Sequence, residues 1–309
     1  MKRTALAVTA VVALLVAAVT APAATAATSP RDVKPAVPIY LALGDSLAAG
    51  QQSAPPVGDF ETTAELWHAS GFVAQFHEVL REELDCLPAR APAARHRCRQ
   101  LQLVSFARTG IPGGPGGVTT ATMLQDGDQV DRAVELLRER NGDRRAGNDV
   151  EVITVTVGGN DLFGPAVAAC VVSTATCGPT LASTFAGVAA RYDQILAQLR
   201  AAAGPETLIM TTTYYNPLPF CDLGAADPAG STALGNLILE GGSLGPVTLP
   251  TGFNDVIRAV SARYGATAVD TFGVPGAGDF VGGTDCLHPD AEGHRKIAET
   301  FAQAFARVS

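Results

Sequence analysis

Five runs of apolar residues, each closed by small or turn-forming residues, punctuate the chain. They are PIYLALGD (residues 38–45), LQLVSFA (101–107), VEVITVTVG (150–158), TLIMTTTYY (207–215) and ATAVDTF (266–272). Near-continuous runs of this length have the pattern of strands buried on both faces. Between them the apolar spacing changes to that of a helix. Leu181, Phe185, Val188, Tyr192, Ile195 and Leu199 recur every three or four positions and mark one stripe of a long helix. Val130, Val134 and Leu137 mark a shorter helix, and Val256, Ile257, Val260 and Tyr264 another. Ile297, Phe301 and Phe305 line a last helix, and FVAQFHEVLREEL (72–84) reads as helical too.

Strands that alternate with helices argue for parallel pairing, because parallel neighbours need a crossover between them. The pattern therefore predicts a three-layer α/β/α sandwich around a five-stranded parallel sheet. No repeat or composition break divides it, so residues 27–309 read as one domain. Two stretches fit no period. Residues 110–117, GIPGGPGG, follow the second strand and are too rich in glycine for a helix. Residues 216–252 read as a long, apolar-leaning loop, which is uncommon without a role such as a binding lip or lid.

Composition adds compartment and excludes partners. Lys2 and Arg3, an apolar run from Ala5 to Thr20 and the Ala24-Thr25-Ala26 end match a signal peptide, residues 1–26. The run is shorter than the roughly 20 residues a membrane span needs. The expectation is a secreted, extracellular monomer without stable membrane insertion. Residues 1–26 carry two positive charges and no acidic residue, so their loss takes the net charge from −8 to −10. Such a chain is a poor match for nucleic acid or anionic lipid. Six cysteines, an even number in an exported chain, read as disulfides. Fifteen connectivities exist; proximity favours Cys86 with Cys98 and Cys170 with Cys177, leaving Cys221 for Cys286. The chain has no C-x-x-C pair, and the spacing of Asp285, His288, Asp290 and His294 fits no common metal-ligand pattern. The expectation is a chain without metal or cofactor.

The chemistry collects at the strand ends, where open α/β sheets bind ligands. The first strand ends in Gly44-Asp45-Ser46, the second in Ala107-Arg108-Thr109-Gly110, and the third in Gly158-Gly159-Asn160-Asp161. Asp285-Cys286-Leu287-His288 precedes the last helix. With GDSL, GGND and DCLHP in this order from Gly44 to His288, the chain resembles the SGNH, or GDSL, esterase/lipase superfamily of the secreted bacterial type. The resemblance implies a flavodoxin-like SGNH hydrolase fold and the hydrolysis of carboxylic (acyl) esters without a cofactor, on a small-molecule or lipid ester. It also implies Ser46 as nucleophile. A serine hydroxyl needs a base beside it to attack an ester. His288 can be that base, and Asp285, three residues earlier, can orient the imidazole. The resemblance supplies an oxyanion hole from the N–H groups of Ser46 and Gly110 and the amide of Asn160, with Gly113 as an alternative to Gly110.

Competing readings are fewer. His68, His77 and His96 read as surface or packing histidines, and His294 as facing solvent. Asp45 and Asp161 read as turn-shaping residues and Asp270 as a cap. The G-x-S-x-G elbow of the α/β-hydrolases is absent. The aliphatic residues Leu223, Leu234, Leu237, Ile238, Leu239, Leu244, Val247 and Leu249 are candidates to line an acyl pocket, which favours a lipase or esterase. A carbohydrate acetylesterase on the same fold, or a catalytically silent binding protein, are the alternatives.

Overall fold

The computed structural model describes residues 37–52, 68–86, 101–110, 116–142, 147–282 and 285–309, without the side chains of 84–86, 165–166, 171, 174 and 223. All of these fall in one compact unit, Ala36–Ser309. Nine strands occur among them: β1 (Ile39–Gly44), β2 (Gln102–Ser105), β3 (Val150–Thr156), β4 (Leu208–Thr212), β5 (Gly242–Leu244), β6 (Val247–Leu249), β7 (Thr267–Val269), β8 (Phe280–Gly282) and β9 (Asp285–Pro289). The helices of two turns or more are α1 (Phe72–Cys86), α2 (Gln129–Arg140), α3 (Pro165–Val172), α4 (Thr174–Ala203), α5 (Pro228–Glu240), α6 (Phe253–Arg263) and α7 (Ala291–Phe305).

The central sheet has the order β2-β1-β3-β4-β7 and all its neighbours are parallel. β1 is buried along its whole length, as an apolar run without alternation requires. The Tyr40 hydroxyl, which would be orphaned there, meets Thr154 Oγ1 on β3 at 2.9 Å. Helices α1 and α7 pack together, with Phe72 stacked on Phe301 at 5.1 Å between ring centroids. Helices α2 and α6 pack against α4. The apolar stripe from Leu181 to Leu199 is buried at all six positions.

The strand order sets where a site can form. From β1 the chain moves outward to β2 and then returns to the other side of β1 for β3. The connections therefore diverge beyond the carboxyl ends of β1 and β3, and that crevice is the place where sheets of this type take ligands.

The 216–252 stretch corrects its reading as a loop. It contains a 3₁₀ turn (Leu218–Phe220), a short helix (Asp222–Ala225), α5 and the antiparallel hairpin β5–β6. The cause is local: Asp227 caps α5 by accepting from Gly230 N, Pro228 fills the first turn, and Gly241 ends the helix at φ 74°. Leu237, Ile238, Leu239, Val247 and Leu249 are buried in the core. His294 is a second correction. It has no exposed surface, because it stands three residues before Ile297 on the buried stripe of α7 and stacks on Phe72.

Candidate active site

Ser46 leaves the sheet on a turn built by its neighbours. Gly44 has φ 156°, and a Cβ there would collide with the Thr156 carbonyl and with Ala48. The Gln129 side chain, the first residue of α2, pairs with both backbone groups of Gly44 at 2.8 and 2.9 Å and so continues the ladder past the strand. Asp45 N donates to Thr156 O, and Asp45 Oδ1 accepts from Leu47 N at 3.0 Å. The aspartate thus shapes the turn, as expected. Its other oxygen accepts from the Tyr214 hydroxyl at 3.0 Å. Burial pushes the Asp45 carboxyl up to about 6, against the hydrogen bonds from Leu47 and Tyr214 and the charge of His288.

His288 comes from β9, which pairs antiparallel with β8. Its Nε2 lies 2.8 Å from Ser46 Oγ, and its Nδ1 lies 2.8 and 2.9 Å from the two oxygens of Asp285. His288 N also donates to Asp285 Oδ1 at 3.3 Å. Burial raises the Asp285 carboxyl, but the hydrogen bonds and charge of His288 and the N–H of Leu287 outweigh it and hold the group below the ordinary carboxylate value. Two ties fix β9 over the sheet edge. Tyr215 donates to Leu287 O at 2.8 Å, and Cys286 is joined to Cys221 with their Cα atoms 4.9 Å apart.

Asn160 lies in the helical turn Gly159–Leu162 just after β3, and its Nδ2 donates to Val118 O at 2.9 Å. Together with Ser46, His288, Phe163, Tyr214, Tyr215 and Leu287 it lines a cleft of about 60 Å³. Gly110 lies in the segment that follows β2, and Arg108 Nε donates to its carbonyl at 3.0 Å. It is not among the residues lining the cleft, but the returning Gly117 lies against the Asn160 amide so closely that a Cβ there would collide with it. Gly113 lies outside the described residues.

Cys170–Cys177 is bonded; Cys98 and the Cys86 side chain lie outside the described part. Asp290 caps α7 and His294 Nδ1 accepts from Phe72 N, so neither converges on Asp285 and His288. His77 bonds Leu101 O at the rear of β2, and His96 lies outside the described residues. Asp270 bonds Phe272 N and Thr213 Oγ1, the cap expected of it. None of the described aliphatic side chains of 223–249 lines the cleft. The residues that sequence reasoning passed over are Tyr214, Tyr215 and Gln129. The two tyrosines ended a predicted strand and so already stood at the right edge.

A serine hydroxyl, an imidazole and a carboxylate in hydrogen-bonded series at the switch point of a parallel sheet are the equipment of a hydrolase. The chain belongs to the GDSL-like lipase/acylhydrolase family, whose model matches residues 42–296. No curated protein matches it. Among solved structures it is similar to a lipase from a goat rumen metagenome, with 18% identity over 86% of this chain and 96% of that one, at a TM-score of 0.48. It is similar to an alpha/beta hydrolase enzyme from the metagenome of Lake Arreo, Spain, with 19% identity over 88% and 96%, at 0.46. It is also similar to a catalytic mutant of an acetylxylan esterase from Geobacillus stearothermophilus, with 13% identity over 86% and 93%, at 0.44.

Proposed function

We propose that this hydrolase is a secreted enzyme that cleaves carboxylic esters with short acyl groups through a Ser46–His288–Asp285 triad. The observation that carries the reading is the unbroken series from Ser46 Oγ through His288 to Asp285, with each link at 2.8 or 2.9 Å. Ser46 Oγ attacks the ester carbonyl as His288 Nε2 takes its proton. Asp285 holds the proton on Nδ1 and stabilises the imidazolium. The imidazolium then protonates the leaving alcohol, and water releases the acid from the acyl-enzyme by the same steps in reverse order. The developing oxyanion is met by Ser46 N–H, Gly110 N–H and the Asn160 amide. Neither Ser46 N–H nor Gly110 N–H donates to any other described residue. Donors of this kind count most as the charge forms.

The size of the cleft supports the short acyl group. Its volume of about 60 Å³ is small beside the roughly 300 Å³ and more of typical ligand pockets. Of the aliphatic candidates for an acyl pocket, Leu237, Ile238, Leu239, Val247 and Leu249 are buried in the core, Leu234 packs against it, and Leu244 is exposed away from the cleft lining. The same observation favours an acetylated sugar as a second reading. Export rests on the pattern of residues 1–26; the bonded cysteines fit an oxidising compartment, and among the described residues no helix is long and apolar enough to cross a membrane. The test is a series of p-nitrophenyl esters from acetyl to palmitoyl, beside acetylated xylan. The expected kcat/KM is highest for acetyl or butyryl and falls steadily with length. A maximum at the palmitoyl ester would overturn the short-acyl reading.

A further inference from the structure

Asn160 and Asp161 are neighbours in one turn, and both reach across to the segment that returns from the glycine-rich stretch. Asn160 Nδ2 donates to Val118 O at 2.9 Å. Two residues further along that segment, Thr120 N donates to Asp161 Oδ2 and Thr120 Oγ1 donates to Asp161 Oδ1, both at 2.8 Å. Arg191, from the middle of α4, closes the set. Its Nε donates to Thr120 Oγ1 at 2.7 Å and its Nη2 to Asp161 Oδ1 at 3.0 Å. Thr120 is fully buried and the Asp161 side chain is 5% exposed, so the bonds between these two are shielded from water, while Arg191 is a third exposed. Thr119 and Thr122 cap the helical turn that begins at Thr120, which stiffens the segment from its other end.

We propose that Asp161, Thr120 and Arg191 are positioning residues that aim the Asn160 amide at the reacting oxyanion. The inference rests on the reading of Asn160 as an oxyanion donor. A carboxamide nitrogen carries two hydrogens in a fixed plane. Val118 O holds one of them, so the place of that carbonyl decides where the second points. Asp161 sets the place of Val118 through Thr120, and Gly117 lets the amide lie flat against the backbone. Arg191 pairs with the buried carboxylate and with Thr120 Oγ1 and so holds the two in register. None of the three lines the cleft, so their effect reaches the reaction only through Asn160. A donor misplaced by a fraction of an ångström loses most of its value in the transition state while leaving substrate binding little changed.

The experiment measures kcat and KM for p-nitrophenyl acetate and the inhibition constant of an aryl trifluoromethyl ketone, whose adduct with serine carries the oxyanion. The proteins are wild type, Arg191→Gln, Arg191→Lys, Thr120→Val, Asn160→Ala and the Asn160→Ala/Arg191→Gln double variant. Far-UV circular dichroism and Tm verify folding. Arg191→Gln and Thr120→Val are each expected to lower kcat by about 10- to 100-fold with little change in KM. The inhibition constant should rise in parallel, and Arg191→Lys should recover part of the loss. In the Asn160→Ala background the Arg191 change should cost less than about twofold, since the residue it positions is gone. Equal losses in both backgrounds, or a lower Tm with kcat intact, would overturn the positioning role while leaving Asn160 in place. An Asn160→Ala protein with undiminished kcat would overturn the oxyanion assignment itself, and this inference with it. Thr120→Val keeps the shape and the backbone N–H, so it carries the test if the arginine variants do not fold.

Discussion

In the proposed mechanism Ser46 owes its reactivity to what surrounds it: a glycine that lets the chain turn, an aspartate that holds the turn, and an imidazole 2.8 Å away. Nucleophile and base act as one unit in such a site. Ser46→Ala and His288→Ala should each abolish nearly all esterase turnover, and the double variant should lose less than about tenfold beyond either single one. Steady-state kinetics on all three, with folding followed by circular dichroism, checks this. Multiplicative losses would mean that the two residues act separately. Legibility at this scale was uneven. Ser46, Asn160, Asp285 and His288 stood in motifs at strand ends, where chemistry concentrates. Gln129 could not be read, because a glutamine at the first position of a helix carries no periodic signal; only the fold brings its amide to Gly44. His294 was legible in principle, being in phase with Ile297, Phe301 and Phe305, but a polar residue in a helix reads as solvent-facing unless its phase is tested.

At the scale of elements, the five strands of the sheet were visible as apolar runs because burial on both faces removes alternation. Helix α5 was hidden for the opposite reason. Pro228, Ala229, Gly230, Ser231 and Gly235 are small or helix-breaking, so the stripe Leu234, Leu237, Ile238 had no clear polar face to contrast with. Its Asp227 cap and Gly241 stop were the better signals. The disulfide Cys221–Cys286 ties the segment that precedes α5 to β9, joining cysteines 65 positions apart in sequence. In the chain-entropy account a link of this span contributes roughly 4 kcal/mol. Its local effect matters more, since β9 carries both Asp285 and His288. Cys221→Ser/Cys286→Ser is expected to lose at least about half of its kcat at temperatures where circular dichroism still reports a folded protein, because the tie on β9 goes first. Full activity up to the unfolding transition would contradict this.

For the whole molecule, the sheet order brings the ends of β1 and β3 to one crevice, and two buried groups make its stability depend on pH in opposite senses. Burial raises Asp45 to about 6. Between the ordinary carboxylate value and about 6 the native state therefore binds more protons than the unfolded chain, and stability falls as pH rises through that window. Burial lowers His294 to about 4, against the hydrogen bond of Gln51. Its neutral Nδ1 must accept from Phe72 N, so between about 4 and its ordinary value the unfolded chain binds the extra proton. Stability then rises with pH through that window. The two slopes oppose each other in the native protein. Asp45→Asn should expose the histidine alone and make the acid side steeper, whereas His294→Gln should flatten or reverse it. Urea midpoints at pH 4, 5, 6 and 7 for the three proteins check the signs. A flatter profile in Asp45→Asn than in wild type would contradict the account.

The claim on which all of this depends is that Ser46, activated by His288, is the group that takes the acyl chain. It is tested most directly by labelling the folded protein with a fluorophosphonate and locating the adduct by peptide mass spectrometry. The account predicts one stoichiometric adduct on Ser46, formed in step with the loss of esterase activity and absent from folded His288→Ala. An adduct on another residue, or ester hydrolysis that persists in purified Ser46→Ala, would contradict it.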